Sequence, residues 1–414
     1  MPEEINVKKN VKTTAGKTSS KSVDKAVSNG RKRRIAFILP HFYPYVGGAE
    51  KLFYEMAVQM VKAGYEVRVV AEKVDEEHSG KCKLDGMTVW YCPWKSMFGH
   101  PFPRKKDIER HIKWCDIVHT STFTTSPIVS ALAKKYHKPS VLTVHEIRGD
   151  KWFWSDAWYK ACIYWAVEQY SCRQRFDVYH VVSDATKRDF IKFIGNGNIR
   201  RVYNATDNEW RDITSDDKAF SLRKYFKVKK DFIFLYYGRP GRTKGIFVYA
   251  DALKLLKERG IDTSGVKFCF ILGKEPAAPR REFLTFIKKN GLKDLVRIRG
   301  SVGREELGMC IKQADCVVVP SLTEGFGFSA AEACMTGTPL ICSDAGALPE
   351  VVSGKCLIFR NRDSGDLADK LESVIREGEN AFEVIPEKVF THEAMYEGLN
   401  EIYNDLLSKG KKCY

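Results

Sequence analysis

Two series of apolar runs, each alternating with amphipathic segments, constrain this chain more than any single motif does. In the first half the runs are RIAFILP (Arg34 to Pro40), EVRVVAE (Glu66 to Glu72), MTVWYCP (Met87 to Pro93), DIVHT (Asp116 to Thr120), SVLTVHE (Ser140 to Glu146) and VYHVVS (Val178 to Ser183). In the second they are DFIFLYY (Asp231 to Tyr237), VKFCFIL (Val266 to Leu272), LVRIRG (Leu295 to Gly300), DCVVVP (Asp315 to Pro320) and PLICS (Pro339 to Ser343). Strands that are apolar throughout bury both faces, and their alternation with helices demands parallel sheets covered on both sides. Two such series predict an α/β chain of two Rossmann-like domains, with ligand bound at the C-terminal ends of the strands in a deep cleft between them. The length of 414 residues suits two large cores. Turn formers at VYNATDNEWRDITSDD break the rhythm. This divides the chain into a first domain over 31–205 and a second over 206–391.

Charge narrows the partners. The chain carries a net charge of +16. Residues 1–34 hold ten Lys and Arg against three Asp and Glu, with hardly a large apolar side chain among them. Such a segment is too polar to fold, so residues 1–30 are expected to be a disordered basic tail. No zinc-finger spacing, RNP-like sequence or repeated helix-turn-helix pattern accompanies it, which argues against nucleic acid and leaves an anionic membrane surface, or simple solubility, as its purpose. The twelve cysteines form no CxxC pair and are expected to be reduced and mostly buried. No eighteen-residue apolar run and no signal-peptide core is present. A cytoplasmic protein, soluble or peripheral on a membrane face, is expected.

Three turns carry chemistry. EGFGFSAAE (Glu324 to Glu332) follows the strand CVVVPS and opens a helix, so free backbone N–H groups and the positive end of a helix dipole face one spot. Two carboxylates beside such an anion site suit sugar hydroxyls. YYGRPGRTKG (Tyr236 to Gly245) also follows a strand and aims Arg239 and Lys244 into the cleft, with Arg242 as a third candidate cation. Gly47 and Gly48 open a helix after the first strand, in a pattern that is neither GxGxxG nor a Walker loop. A need for positive φ explains one glycine, whereas two in succession point to close backbone approach to a ligand. The chain contains no Asp-x-Asp, so protein cations and a helix N-terminus are left to neutralise a diphosphate.

The run PSLTEGFGFSAAEACMTGTPLICSDAGALPE (Pro320 to Glu350) resembles the donor-site signature of the retaining nucleotide-sugar glycosyltransferases of the GT-B fold, glycosyltransferase family 4 (group 1). The resemblance implies that Glu324 contacts the donor sugar. Gly325, Phe326, Gly327, Phe328 and Ser329 then offer backbone to sugar and diphosphate, and Glu332 holds the ribose hydroxyls. It further implies that Arg239 and Lys244 neutralise the diphosphate, that Gly47 and Gly48 lie near donor phosphate and acceptor, and that His145 touches a sugar hydroxyl. Val302, in SVGREEL, is implied at the nucleobase. The sequence departs from the family in having Ala205 for a linker glycine, Glu146 after His145 where Asp is common, and GKEP at Gly273 to Pro276 in place of Gly-x-Gly. In relatives a final helix, here about His392 to Ser408 within 392–414, crosses back to the first domain. The implied activity is retaining transfer of a hexose from GDP-mannose or a UDP-hexose to a glycan or lipid-linked acceptor, without metal or cofactor. A nucleotide-sugar 2-epimerase of the same fold and a non-catalytic basic surface module are the alternatives.

One segment stays outside this scheme. KWFWSDAWYKACIYWAVEQY (Lys151 to Tyr170) spreads apolar residues over more than one helical stripe. Packing inside the first domain is the expected reason, and an interfacial surface, supported by Arg104, Lys105 and Lys106, is the alternative.

Overall fold

The computed structural model describes residues 27–28, 31–45, 47–97, 100–155, 157–206, 210–213 and 220–409. The expected tail therefore lies outside the described residues, except that Val27–Ser28 pairs antiparallel with Arg31–Lys32.

The first sheet is built from β1 (Arg34–Ile38), β2 (Glu66–Glu72), β3 (Gly80–Leu84), β4 (Met87–Cys92), β5 (Ile117–Ser121), β6 (Ser140–Val144), β7 (Val178–Val181) and β8 (Ile199–Arg201). Its order is β8-β7-β6-β5-β1-β2-β4-β3. All neighbours run parallel except β3, which pairs antiparallel with β4. Between these strands lie α1 (Gly48–Lys62), α2 (Lys105–Trp114), α3 (Ser126–Lys135), α4 (Trp158–Cys172) and α5 (Asp184–Ile194). In α1 the buried residues Leu52, Phe53, Met56, Ala57 and Met60 recur at helical spacing and form the face laid on the sheet. Each of the larger side chains, Leu52, Phe53, Met56 and Met60, contributes about 1.5–3 kcal/mol by leaving water.

The second sheet comprises β9 (Phe232–Gly238), β10 (Val266–Leu272), β11 (Val296–Arg299), β12 (Cys316–Val319), β13 (Leu340–Ser343), β14 (Gly354–Phe359) and β15 (Glu383–Ile385), in the order β11-β10-β9-β12-β13-β14-β15. Only β15 is antiparallel. Its helices are α6 (Ile246–Glu258), α7 (Ala277–Lys289), α8 (Arg304–Gln313), α9 (Phe328–Thr336) and α10 (Ser364–Glu377). The chain is α/β with two Rossmann-like domains, the GT-B arrangement. In each sheet the strand order reverses beside the first strand of the domain, at β1–β5 and at β9–β12, and these switch points are where the glycine turns emerge.

The last helix, α11 (His392–Lys409), places Met395, Leu399, Ile402, Tyr403 and Leu406 in the core of the first sheet. It is fastened by polar contacts as well. Tyr65 donates to Asn400 Oδ1 at 2.7 Å, and the Tyr403 hydroxyl lies 2.6 Å from His119 Nδ1 in the buried interior. The two domains also meet directly: Phe326, Ala331, Ala347 and Val351 of the second share the apolar cluster of the first. Glu350 accepts hydrogen bonds from the backbone N–H groups of Asp184 (2.9 Å) and Ala185 (2.8 Å) at the start of α5, and from the Tyr203 hydroxyl at 3.0 Å. A carboxylate from one domain thus caps a helix of the other, where the dipole favours negative charge.

Candidate active site

The carboxyl ends of β9 and β12 bring the second and third turns together. Lys244 closes the short helical turn Arg242–Lys244 after β9, and its Nζ donates to Glu324 Oε1 at 2.6 Å. Ser321 Oγ donates to the same oxygen at 2.7 Å. Glu324 retains only 12% of its side-chain exposure and Lys244 40%, so the pair sits at a wall of the cleft with its cation toward the opening. Arg242 is drawn elsewhere, by Glu282 of α7 at 2.5 Å and by the ring of Phe247. Arg239 remains in the cleft, its guanidinium beside the first domain's glycine loop.

Backbone geometry explains two glycines of the Glu324 to Glu332 run. A Cβ on Gly325 would lie 1.7 Å from the His145 carbonyl oxygen, so the loop and the end of β6 touch backbone to backbone across the domains. Gly327 has φ +97°, in the left-handed region, and caps α9. Phe326 turns its ring into the interdomain core against Phe328, Phe390 and Tyr203, so only its backbone is left for a ligand. Gly47 is extended (φ −164°), so positive φ is not its reason. A Cβ there would come within 2.1 Å of the Glu50 carboxylate and 3.0 Å of Arg239, and one on Gly48 within 3.3 Å of Phe328. Gly47 therefore makes room for Glu50 of its own helix as well as for Arg239, and Gly48 for Phe328 of the second domain.

Around α9 lies a second set of charges. The Tyr237 hydroxyl is 2.7 Å from the Ser329 carbonyl oxygen and 3.2 Å from Glu332 Oε2. Burial pushes the Glu332 carboxyl up, against the pull of Lys51 and Arg304. Burial likewise lowers the Lys51 ammonium and raises Glu55, its partner at 3.6 Å on α1. Lys51 also stands over the Phe328 ring at 5.8 Å. Glu332 is thus held among Lys51, Glu55 and Arg304, charges contributed by both domains. Val302 is half-buried against the second-domain core, two residues before Arg304.

His145 follows β6 directly, with its ring edge-on to Phe53 at 5.6 Å, and its Nε2 is buried without a hydrogen-bond partner. Burial, with His180 nearby, lowers its pKa to about 3, so the imidazole is neutral. A neutral ring with an unpartnered nitrogen suits contact with a hydroxyl. The neighbouring Glu146 accepts from the Thr323 hydroxyl and pairs with Arg148 at 3.4 Å. Its own burial would raise its pKa, but Arg148, Thr323 and Lys244 hold it lower. Sequence reasoning treated Glu146 only as a departure and did not single out Lys51, Glu55, Tyr237 or Ser321. A Lys-Glu pair four apart on a helix reads as a solvated face, and only the neighbouring glycine loop hinted otherwise. Among the described residues no group of three or more His, Cys, Asp or Glu side chains is arranged to hold a metal ion.

The glycosyl transferases group 1 family model matches residues 217–387, and the glycosyltransferase family 4 model matches residues 46–210. The chain belongs to the group 1, family 4 glycosyltransferases. Within that family it is 35% identical over 160 residues to a D-inositol 3-phosphate glycosyltransferase of Paenarthrobacter aurescens (strain TC1), a match covering 38% of each chain. The fold is shared with sucrose-phosphate synthase from Thermosynechococcus elongatus, at a TM-score of 0.75 and 19% identity over 91% of this chain and 100% of that one. It is shared too with Anabaena HepE in complex with UDP and glucose, at a TM-score of 0.69 and 18% identity over 89% of this chain and 98% of that one.

Proposed function

We propose that this family 4 member transfers a hexose from a nucleoside-diphosphate sugar to a hydroxyl of a glycan or lipid-linked acceptor, with retention at the anomeric carbon and without metal. The observation that carries the reading is the Lys244–Glu324–Ser321 contact set at the β9 and β12 ends, on the same domain as Arg239 and facing His145 and Glu146 of the first domain. Lys244 and Arg239 neutralise the departing diphosphate, and the amides opening α9 add the positive end of a helix. Glu324 and the neutral His145 orient sugar hydroxyls, and Glu332 receives the ribose among Lys51 and Arg304. An acceptor that attacks from the leaving-group face hands its proton to the diphosphate, so no dedicated base is required. The relatives support a nucleotide-sugar donor, since HepE is described with UDP and glucose.

Incubation with radiolabelled GDP-mannose, UDP-glucose and UDP-N-acetylglucosamine, with candidate acceptors and with EDTA, tests this directly. Label passes to an acceptor at an unchanged rate under chelation. Interconversion of the nucleotide sugar without transfer would instead identify an epimerase, and loss of transfer on chelation, restored by Mn²⁺ or Mg²⁺, would overturn the metal-free mechanism.

The acceptor side favours a membrane-proximal substrate. Contrary to the packing expectation, the aromatic segment is not swallowed by the first domain. Trp158 is 75% exposed, Tyr159 51% and Tyr170 63%, while only Ala161, Glu168, Ser171 and Cys172 of α4 are buried. No described helix is long and apolar enough to cross a membrane. Exposed aromatics with exposed Arg104, Lys105 and Lys106 nearby suit an anionic bilayer surface, each cation adding about 1 kcal/mol. The full-length protein is expected to float with anionic liposomes at low salt and to leave them at high salt; sedimentation away from anionic liposomes at low salt would refute this.

A further inference from the structure

The buried side of α4 explains its exposed side. Glu168 accepts from the backbone N–H groups of Arg148 at 2.9 Å and Gly149 at 2.7 Å, which fixes the helix against the loop after β6. Held that way, α4 turns Trp158, Cys162, Trp165, Ala166 and Tyr170 outward, at intervals that make one helical stripe. A soluble helix ordinarily places charged residues on that face. Here Lys160 and Arg173 only flank it.

Beside the stripe is an apolar groove of about 440 Å³, lined by Phe102, Pro127, Ile128, Ala166, Val167 and Tyr170, between α3, α4 and the strand His100–Phe102. That volume falls within the roughly 300–1,000 Å³ of small-molecule sites. Thr124 and Ser171 line it as well, and their hydroxyl oxygens are buried without a partner. Arg104, Lys105 and Lys106 follow Phe102 and Pro103 at its edge, all three exposed, with Arg104 paired to Asp107 at 2.8 Å and Lys105 and Lys106 left as the edge's cations. A series of packed side chains runs from the groove wall toward the cleft. Phe123, next to Thr124, meets the Trp152 ring at 5.8 Å, Arg148 stands over Trp152 at 4.3 Å, and Arg148 pairs with Glu146 beside Thr323. Two residues after Trp152, the ring of the exposed Trp154 meets Arg362 of the second domain at 4.3 Å.

We infer that this groove holds the alkyl chain of one acceptor lipid whose headgroup is anionic. The occupant follows from the lining. Apolar walls take a hydrocarbon chain, the unpartnered hydroxyls take an ester or ether oxygen near its head, and the cationic edge takes the negative charge. The inference rests on the glycosyltransferase reading with a lipid-linked acceptor, and it deepens that reading by giving the lipid a discrete site in addition to a surface.

The test uses full-length protein and cis-parinaric acid, a fluorescent single-chain carboxylate, below its micellar concentration. Binding is expected to saturate at one chain per protein. Competing straight-chain alkanoates are expected to gain about fourfold in affinity per added methylene. Ala166→Trp, which fills the groove from an exposed position, is expected to weaken binding about tenfold or more, and Tyr170→Ala to weaken it less. Trp158→Ser, on the outer stripe, is expected to reduce liposome flotation and leave parinarate binding intact. Non-saturable partition, or unchanged binding in both groove variants, overturns the inference. Loss of a dimer in Ala166→Trp, without any effect on parinarate, overturns it in favour of a second copy as the occupant. Thermal shift with UDP and GDP on the same samples separates the failures. Nucleotide binding without chain binding sinks only the groove, whereas chain binding without nucleotide binding or transfer sinks only the transferase reading.

Discussion

Lys244→Ala lowers transfer by about 100- to 1,000-fold, the effect of removing one preorganised charge-stabilising donor from an active site. Two losses combine. The ammonium no longer meets the departing diphosphate, and Glu324, with 12% of its side chain exposed, keeps only Ser321 as a partner for the oxygen that Lys244 held at 2.6 Å. A carboxylate stripped of its cation leaves uncompensated negative charge beside the diphosphate and repels it. Affinity for UDP or GDP is therefore expected to fall about tenfold or more, since a charge-assisted contact is worth ~1.5–3 kcal/mol. Arg239→Ala is expected to weaken diphosphate binding in the same direction, whereas Arg242→Ala, whose guanidinium is engaged by Glu282, is expected to change it little. Titration calorimetry with the nucleoside diphosphates, alongside kcat/KM, provides the measurement. Unchanged binding in both Lys244→Ala and Arg239→Ala removes these residues from the donor site.

Acid destabilises this protein well before its carboxylates are all protonated. In the first domain a buried chain of hydrogen bonds runs from Tyr403 to His119 (2.6 Å), His119 to Thr143 (2.7 Å), Thr143 to His180 (2.9 Å) and His180 to the Val202 carbonyl (3.0 Å). His180 Nε2 must donate to that carbonyl, so its Nδ1 accepts from Thr143, Thr143 accepts from His119 Nε2, and His119 Nδ1 accepts from Tyr403. Every link is satisfied by neutral imidazoles, and none has room for another proton. Burial lowers His119 well below 6.5, lowers His180 to about 4, and lowers His111, packed against Trp90 and Arg110, also to about 4.

The sign of the effect follows. Above the unfolded value of 6.5 both states are neutral and stability is flat. Below it the unfolded chain takes up protons that the folded chain refuses, so stability falls until the folded value near 4 is reached. Each such histidine contributes a slope of up to about 1.4 kcal/mol per pH unit, and roughly 3 kcal/mol over the whole window for His180. Urea unfolding followed from above pH 6.5 toward pH 4 is expected to show this decline, and His111→Leu to flatten it by about one proton. A stability that stays level through that window would contradict the buried neutral network.

Much of this organisation was legible in the residues. All eleven apolar runs became strands, because continuous Val, Ile and Phe in short segments leave few alternatives when helices flank them. The strands that escaped notice, β3, β8, β14 and β15, are short or polar on one side, as in GKCKL and GKCLIF, and owe their form to the neighbours they pair with. The run Glu324 to Glu332 does lie at a strand-to-helix turn, as its glycines and its place after an apolar run suggest. Arg242 is a third candidate cation in sequence, after Arg239 and Lys244, and Glu282, forty residues on, takes it away.

The sequence alone determined the architecture and the location of the glycine-bearing turns at the strand ends, because period, apolar continuity and turn chemistry are local properties. The tertiary structure decided which charges meet. Lys51 and Glu55 reach Glu332, and Glu146 reaches Thr323, only because two separately folded sheets bring their strand ends to one cleft. It also decided that α4 faces outward. The anchoring of Glu168 by the Arg148 and Gly149 amides sets the rotation of that helix, and rotation about a helix axis is fixed by the contacts on one face when both faces are apolar.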